Sequence, residues 1–85
     1  MFKITFKKKA AKELLKLPKA AILKLSKSID GLQENPRPEG SKKLKGSREE
    51  MWRIRSGNYR VLYVIENEVK IVSIRKVGHR KDVYE

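Results

Sequence analysis

The chain has 85 residues, 39% hydrophobic and 38% charged, with a formal net charge of +12 and a pI near 10.2. That length suits one domain, residues 1–85, whose small core is best met by one helix layer on one sheet face, leaving the other face for a partner. Cysteine is absent, which excludes disulfide frameworks, thiolate metal sites and cysteine nucleophiles, and no run approaches the roughly 18 apolar residues of a membrane span. A soluble protein of a reducing cytoplasm is expected.

Phe2, Ile4 and Phe6 alternate with Lys3 and Thr5, the pattern of a half-buried first strand. From Lys8 the period changes: Ala11, Leu14 and Leu15 fall at i, i+3 and i+4 and predict a short amphipathic helix to about Leu17. Pro18 stops it and is tolerated in the first turn of a second helix, in which Ile22, Leu25, Ile29 and Leu32 continue the apolar stripe to about Glu34. Gly31 costs that helix about 1 kcal/mol relative to alanine, so its last turn is weak, and Asn35-Pro36-Arg37-Pro38 ends it. A polar, basic connection from Glu39 to Gly46 follows. Three strands are predicted at about Met51 to Arg55, Tyr59 to Glu66 and Val69 to Val77. The links Ser56-Gly57-Asn58 and Asn67-Glu68 are of hairpin length, so these strands form an antiparallel meander. The fold class is therefore α+β: an N-terminal strand at a sheet edge, a helical hairpin, then a three-stranded meander, with the helices packed on one face.

Residues 1–30 carry nine lysines against two acidic residues, and residues 31–85 carry thirteen basic against eight acidic, so the excess charge covers the whole molecule. Such a balance favours nucleic acid, RNA above all, over a neutral metabolite. Within the strands, alternation places Arg53 and Arg55 on one face and Trp52 and Ile54 on the other. Burying those arginines would demand carboxylate partners, for which Glu49 and Glu50 are the candidates. Trp52, Tyr59 and Tyr63 read as core aromatics. If Arg60 on the next strand and the tail after Gly78 reach the same face, then Arg80, His79 and Tyr84 join it. The result is a set of forked donors with one titratable imidazole and one phenol, suited to a phosphodiester. No Gly-rich phosphate loop, HExxH motif or Cys/His metal spacing occurs, so chemistry without a metal or cofactor is expected.

In this order and spacing, Leu32-Gln33-Glu34-Asn35-Pro36, Lys43-Leu44-Lys45-Gly46, Trp52-Arg53-Ile54-Arg55, Gly57-Asn58-Tyr59-Arg60-Val61-Leu62-Tyr63 and Val77-Gly78-His79-Arg80-Lys81-Asp82-Val83-Tyr84 resemble the RelE/ParE superfamily of type II toxin–antitoxin toxins, with RelE-like mRNA interferases the nearer branch. The resemblance spans nearly the whole chain. It implies a ribosome-dependent endoribonuclease that cuts mRNA in the A site by 2′-OH attack, leaving a 2′,3′-cyclic phosphate and a 5′-OH. It also implies a separate RelB-like antitoxin, acidic and partly disordered before binding, which captures an otherwise monomeric toxin in a heterotetramer or another complex.

Carried over by position, the family's second-strand cations correspond to Arg53 and Arg55, its next-strand arginine to Arg60, and its C-terminal arginine and tyrosine to Arg80 and Tyr84. Lys8, Lys12, Lys43 and Lys45 become candidate contacts to ribosomal RNA. The best-known pattern has lysines at both second-strand positions. A guanidinium cannot practically act as a base, so the expectation is that Arg53 and Arg55 bind and polarise while His79 or the ribosome handles the proton. A ParE-like gyrase poison and a non-catalytic RNA- or ribosome-binding homologue are the competing readings, since fold does not determine function.

Overall fold

A computed structural model describes residues 1–46 and 50–79. The elements run β1 (Lys3–Phe6), α1 (Lys8–Leu15), α2 (Lys19–Gly31), β2 (Lys42–Lys43), β3 (Met51–Ser56), β4 (Tyr59–Glu66) and β5 (Ile71–His79). Lys7 is extended and Pro18 precedes the first turn of α2, so the two helices are separated by a short turn in which Leu17 N–H bonds to the Leu14 carbonyl. Both helices stop short of their apolar stripes. Past Gly31, the N–H groups of Leu32, Gln33 and Glu34 bond three residues back, to Ile29, Asp30 and Gly31, the tightened closing turn that a weak last turn favours.

The strands form one sheet in the order β1-β5-β4-β3-β2. The meander β3-β4-β5 is antiparallel, as its short links require, and β1 joins the edge parallel to β5 with Lys3 opposite Ile71 and Phe6 opposite Ile74. The β3–β4 turn has Gly57 at φ +59, the left-handed first central position of a type II′ hairpin, which only glycine adopts cheaply. The connection before β3 contributes β2, a two-residue strand that sets Lys42 opposite Arg53 and Lys43 opposite Trp52.

The core lies on one face of the sheet. Ala10 and Leu14 of α1, with Leu25, Ile29 and Leu32 from α2 and its closing turn, meet Ile54, Val61, Tyr63, Ile65, Val72, Ile74 and Val77. Trp52 and Tyr59 are partly buried against the same cluster, which confirms their reading as core aromatics. Tyr63 is fully buried and its hydroxyl donates to the Pro36 carbonyl at 2.7 Å, tying the turn after α2 to the central strand. Burial pushes its pKa up to about 12, against smaller opposing effects from a Ser41 hydrogen bond and the Arg37 charge. The unfolded phenol ionises near 10. The stabilisation from a protonated, buried Tyr63 is thus complete below pH 10 and is lost as pH rises through about 12, on the order of 2 to 3 kcal/mol. Tyr63→Phe should cost about 1 kcal/mol at neutral pH and lose stability less steeply than the parent between pH 10 and 12 in urea titrations.

β1 covers β5 only as far as Ile74. Beyond it the edge is met by α1, where the Glu13 carboxylate accepts a hydrogen bond from the Val77 N–H at 3.1 Å. A half-buried, charge-assisted bond of this kind holds the last part of β5 against the helix layer. Glu13→Ala should destabilise by about 1.5 to 3 kcal/mol, and Glu13→Gln, which keeps an acceptor, should recover most of that loss in thermal melts.

Candidate nucleic-acid interface

Strand register builds a cationic surface on the face away from the helices. Arg55 lies directly opposite Arg60, and Arg53 directly opposite Leu62. Residues paired this way share a face, with Cβ atoms about 4.5 to 5.5 Å apart, and like charges so placed destabilise the pair by a few tenths to about 1 kcal/mol. Arg53 is only 5% exposed, Arg60 is half-buried and Arg55 is exposed, so the group grades from the sheet interior out to solvent. Lys42, opposite Arg53, shares this face, although the sequence pattern drew attention to its neighbour.

His79 does not join the arginines. It pairs with Tyr59, whose ring packs on the core, and the two rings meet edge-on at 5.7 Å with an interplanar angle of 80°. Gly78, not His79, is the residue opposite Arg60. Alternation therefore turns the imidazole toward the helix layer, which corrects the expectation that it converges with Arg53, Arg55 and Arg60 and removes the geometric basis for its proton-transfer role. Arg80 and Tyr84 lie outside the described residues.

The lysines expected to contact RNA are dispersed. Lys43 is opposite Trp52 rather than Arg53 and pairs with Glu50 at 3.8 Å. Glu50 also meets Arg37 at 3.7 Å, and the Arg37 guanidinium lies 5.4 Å from the centre of the Trp52 ring. Glu50, one of the two carboxylates expected to partner buried strand arginines, thus pairs with Arg37 and Lys43, and Glu49 lies outside the described residues. Lys45 is exposed beyond β2, and Lys8 and Lys12 are exposed on α1, in the helix layer. Lys8 and Lys12 thus lie across the sheet from the arginine face. Among the described residues no three His, Asp or Glu side chains come together as a metal-binding set.

With this geometry in hand, comparison with known proteins decides the family. Residues 4–84 match the family described as "ParE toxin of type II toxin-antitoxin system, parDE". This chain belongs to the RelE/ParE superfamily of toxins. The toxin is 36% identical over 86 residues to a Methanocaldococcus jannaschii protein named "Putative toxin RelE1", covering 98% of this chain and 94% of that one. Its fold superposes on the archaeal RelE in the RelE–RelB complex of Pyrococcus horikoshii OT3 with a TM-score of 0.82 at 29% identity, over 96% of this chain and 98% of that chain. The isolated RelE toxin of E. coli gives a TM-score of 0.81 at 28% identity, over 93% of the toxin and 84% of the E. coli chain. The α+β arrangement expected from the sequence is the one these RelE structures share.

Proposed function

We propose that this toxin of a type II toxin–antitoxin system is a ribosome-dependent endoribonuclease that cuts mRNA in the A site. The observation that carries the proposal is the opposition of Arg55 and Arg60, with Arg53 beside them, on the sheet face away from the helices. Two guanidinium groups on one face are preorganised donors for the charge of a dianionic phosphorane that develops between them. The reaction begins as the ribose 2′-OH attacks the adjacent phosphorus. The P–O5′ bond breaks, the departing 5′-oxygen takes a proton from water or a group of the ribosome, and the products are a 2′,3′-cyclic phosphate and a 5′-OH. Arg55 and Arg60 stabilise the charge on the equatorial oxygens, and Arg53, beside them on β3, fixes the phosphate. None of the three takes the 2′-OH proton, because a guanidinium stays protonated. With His79 turned to the helix layer, that proton passes to a group brought by the ribosome. Arg80 and Tyr84 retain their proposed parts, as a further cationic clamp and as an aromatic surface for an RNA base, and the step requires no metal.

The ribosome and mRNA are the macromolecular partners, which locates the action in the cytoplasm. A RelB-like antitoxin is the natural inhibitor, on the strength of the RelE–RelB complex formed by the Pyrococcus relative. One observation favours a second reading: the matched family is described by ParE, whose gyrase-poisoning members need no RNA-cutting cluster. Purified toxin incubated with programmed ribosomes and a defined mRNA separates the two. Under the proposal, 5′-end mapping yields A-site cuts only when ribosomes are present. An uncut mRNA together with inhibited supercoiling by gyrase would move the assignment to the ParE-like reading.

A further inference from the structure

Between Leu62 and Tyr63 the register of β4 on β5 slips: Leu62 is opposite Lys76 and Tyr63 is opposite Ile74, so Arg75 is the extra residue of a β-bulge. The slip breaks the alternation of β5. Val72 and Ile74 before it and Val77 after it all enter the core, so the two residues between Ile74 and Val77 both need a place elsewhere. Lys76 shares the face of its partner Leu62, which is also the face of Arg53. Arg75 Nε donates to Ser73 Oγ at 3.0 Å, and Ser73 is opposite Val64 on that same face. A bulge thus delivers two consecutive cations to the arginine surface where a regular strand would deliver one. Lys76 is half-buried and makes no salt bridge or hydrogen bond among the described residues. Across the sheet the row reads Lys42, Arg53, Leu62, Lys76, and with strands about 4.8 Å apart Lys76 lies roughly 10 Å from Arg53.

We propose that the Arg75-Lys76 bulge forms a second phosphodiester subsite, which binds the RNA backbone one step along the strand from the phosphate held by Arg53, Arg55 and Arg60. Lys76 contacts the phosphate directly, and Arg75, tethered by Ser73, positions the backbone toward the β1 side of the sheet. The inference rests on the reading of this face as an RNA site, though not on cleavage itself. The backbone concerned is that of the mRNA or that of ribosomal RNA, and the test separates them.

Lys76→Met and Arg75→Met keep the aliphatic stems, and melting temperatures near the parent's establish that the bulge survives. Binding of a 2′-O-methyl oligoribonucleotide is measured by anisotropy across a salt series, alongside single-turnover cleavage on programmed ribosomes against toxin concentration. Lys76→Met is expected to weaken oligonucleotide binding several-fold and to flatten the log–log salt slope by about 0.7, the value for one phosphate contact on a single strand. The half-saturating toxin concentration on ribosomes rises several-fold while the maximal rate stays within about twofold. A shift in both assays assigns the subsite to mRNA, and a shift on ribosomes alone assigns it to ribosomal RNA. Unchanged binding and unchanged half-saturation overturn the proposal, as does a fall confined to the maximal rate. If the parent cuts no mRNA but Lys76→Met still flattens the oligonucleotide salt slope, the subsite stands and the nuclease reading alone falls.

Discussion

Arg60→Ala is expected to lower the single-turnover rate of A-site cleavage on the order of a hundred- to a thousandfold, with ribosome affinity within a fewfold of the parent. The magnitude is that of removing one preorganised donor from developing transition-state charge. Arg60 is central because it lies opposite Arg55 and one strand over from the Gly78 position that leads into the tail. Melting temperatures of the variant and the parent separate loss of chemistry from loss of fold. Loss of cleavage in a variant that remains folded is the signature of a residue kept for its chemistry. A stable Arg60→Ala variant that cuts at the parental rate would remove the electrostatic role assigned to the pair.

Leu25→Ala should show the opposite pattern. Leu25 is 1% exposed, and with Ile29 and Leu32 it anchors α2 and its closing turn on the sheet. Truncating a leucine so buried costs about 2 to 5 kcal/mol, and in a chain of this size each kcal/mol shifts the melting temperature by roughly 4 to 8 °C. Leu25 also lines a cleft with Pro18, Ala21 and Tyr59, so the helix has little neighbouring mass to collapse into the space. The arginine face lies on the other side of the sheet. At 20 °C, where the variant is still folded, ribosome-dependent cleavage should fall by less than about threefold. Calorimetry and the cleavage assay on one preparation check both halves of the prediction.

Much of this arrangement is legible in the residues. The change from period two to period three-four at Lys8, the stop at Pro18, and the Gly57-Asn58 turn between apolar strands follow from local chemistry, and the elements appear there. So does the shared face of Arg53 and Arg55, which alternation alone requires. What local patterns do not carry is pairing over distance. The parallel docking of β1 on β5 joins the first strand to the last, and β2 has only two residues, too few for a period. The faces of Lys42 and Lys43 are unreadable for that reason, because the face of each is set by a partner strand and not by its own neighbours. Two further features were readable by counting. Val72, Ile74 and Val77 are spaced two and then three apart, which announces the bulge at Arg75-Lys76. Continuing the alternation from Val77 puts His79 on the core side with Tyr59, where the structure has it. The expectation that His79 joins the arginines depended on the tail folding over their face, whereas the strand position of His79 itself turns it to the core side.

The proposed cleavage begins with attack of a ribose 2′-hydroxyl on the adjacent phosphate, guided by guanidinium groups. The decisive measurement is single-turnover cleavage of an mRNA in the ribosomal A site carrying one 2′-deoxy nucleotide immediately 5′ of the mapped cut, compared with the all-ribose message. The prediction is that the ribose message yields a 2′,3′-cyclic phosphate and a 5′-OH while the deoxy message stays whole at that position. Cutting of the deoxy message at the same bond, or a 5′-phosphate on the downstream product, would contradict the mechanism at its first step.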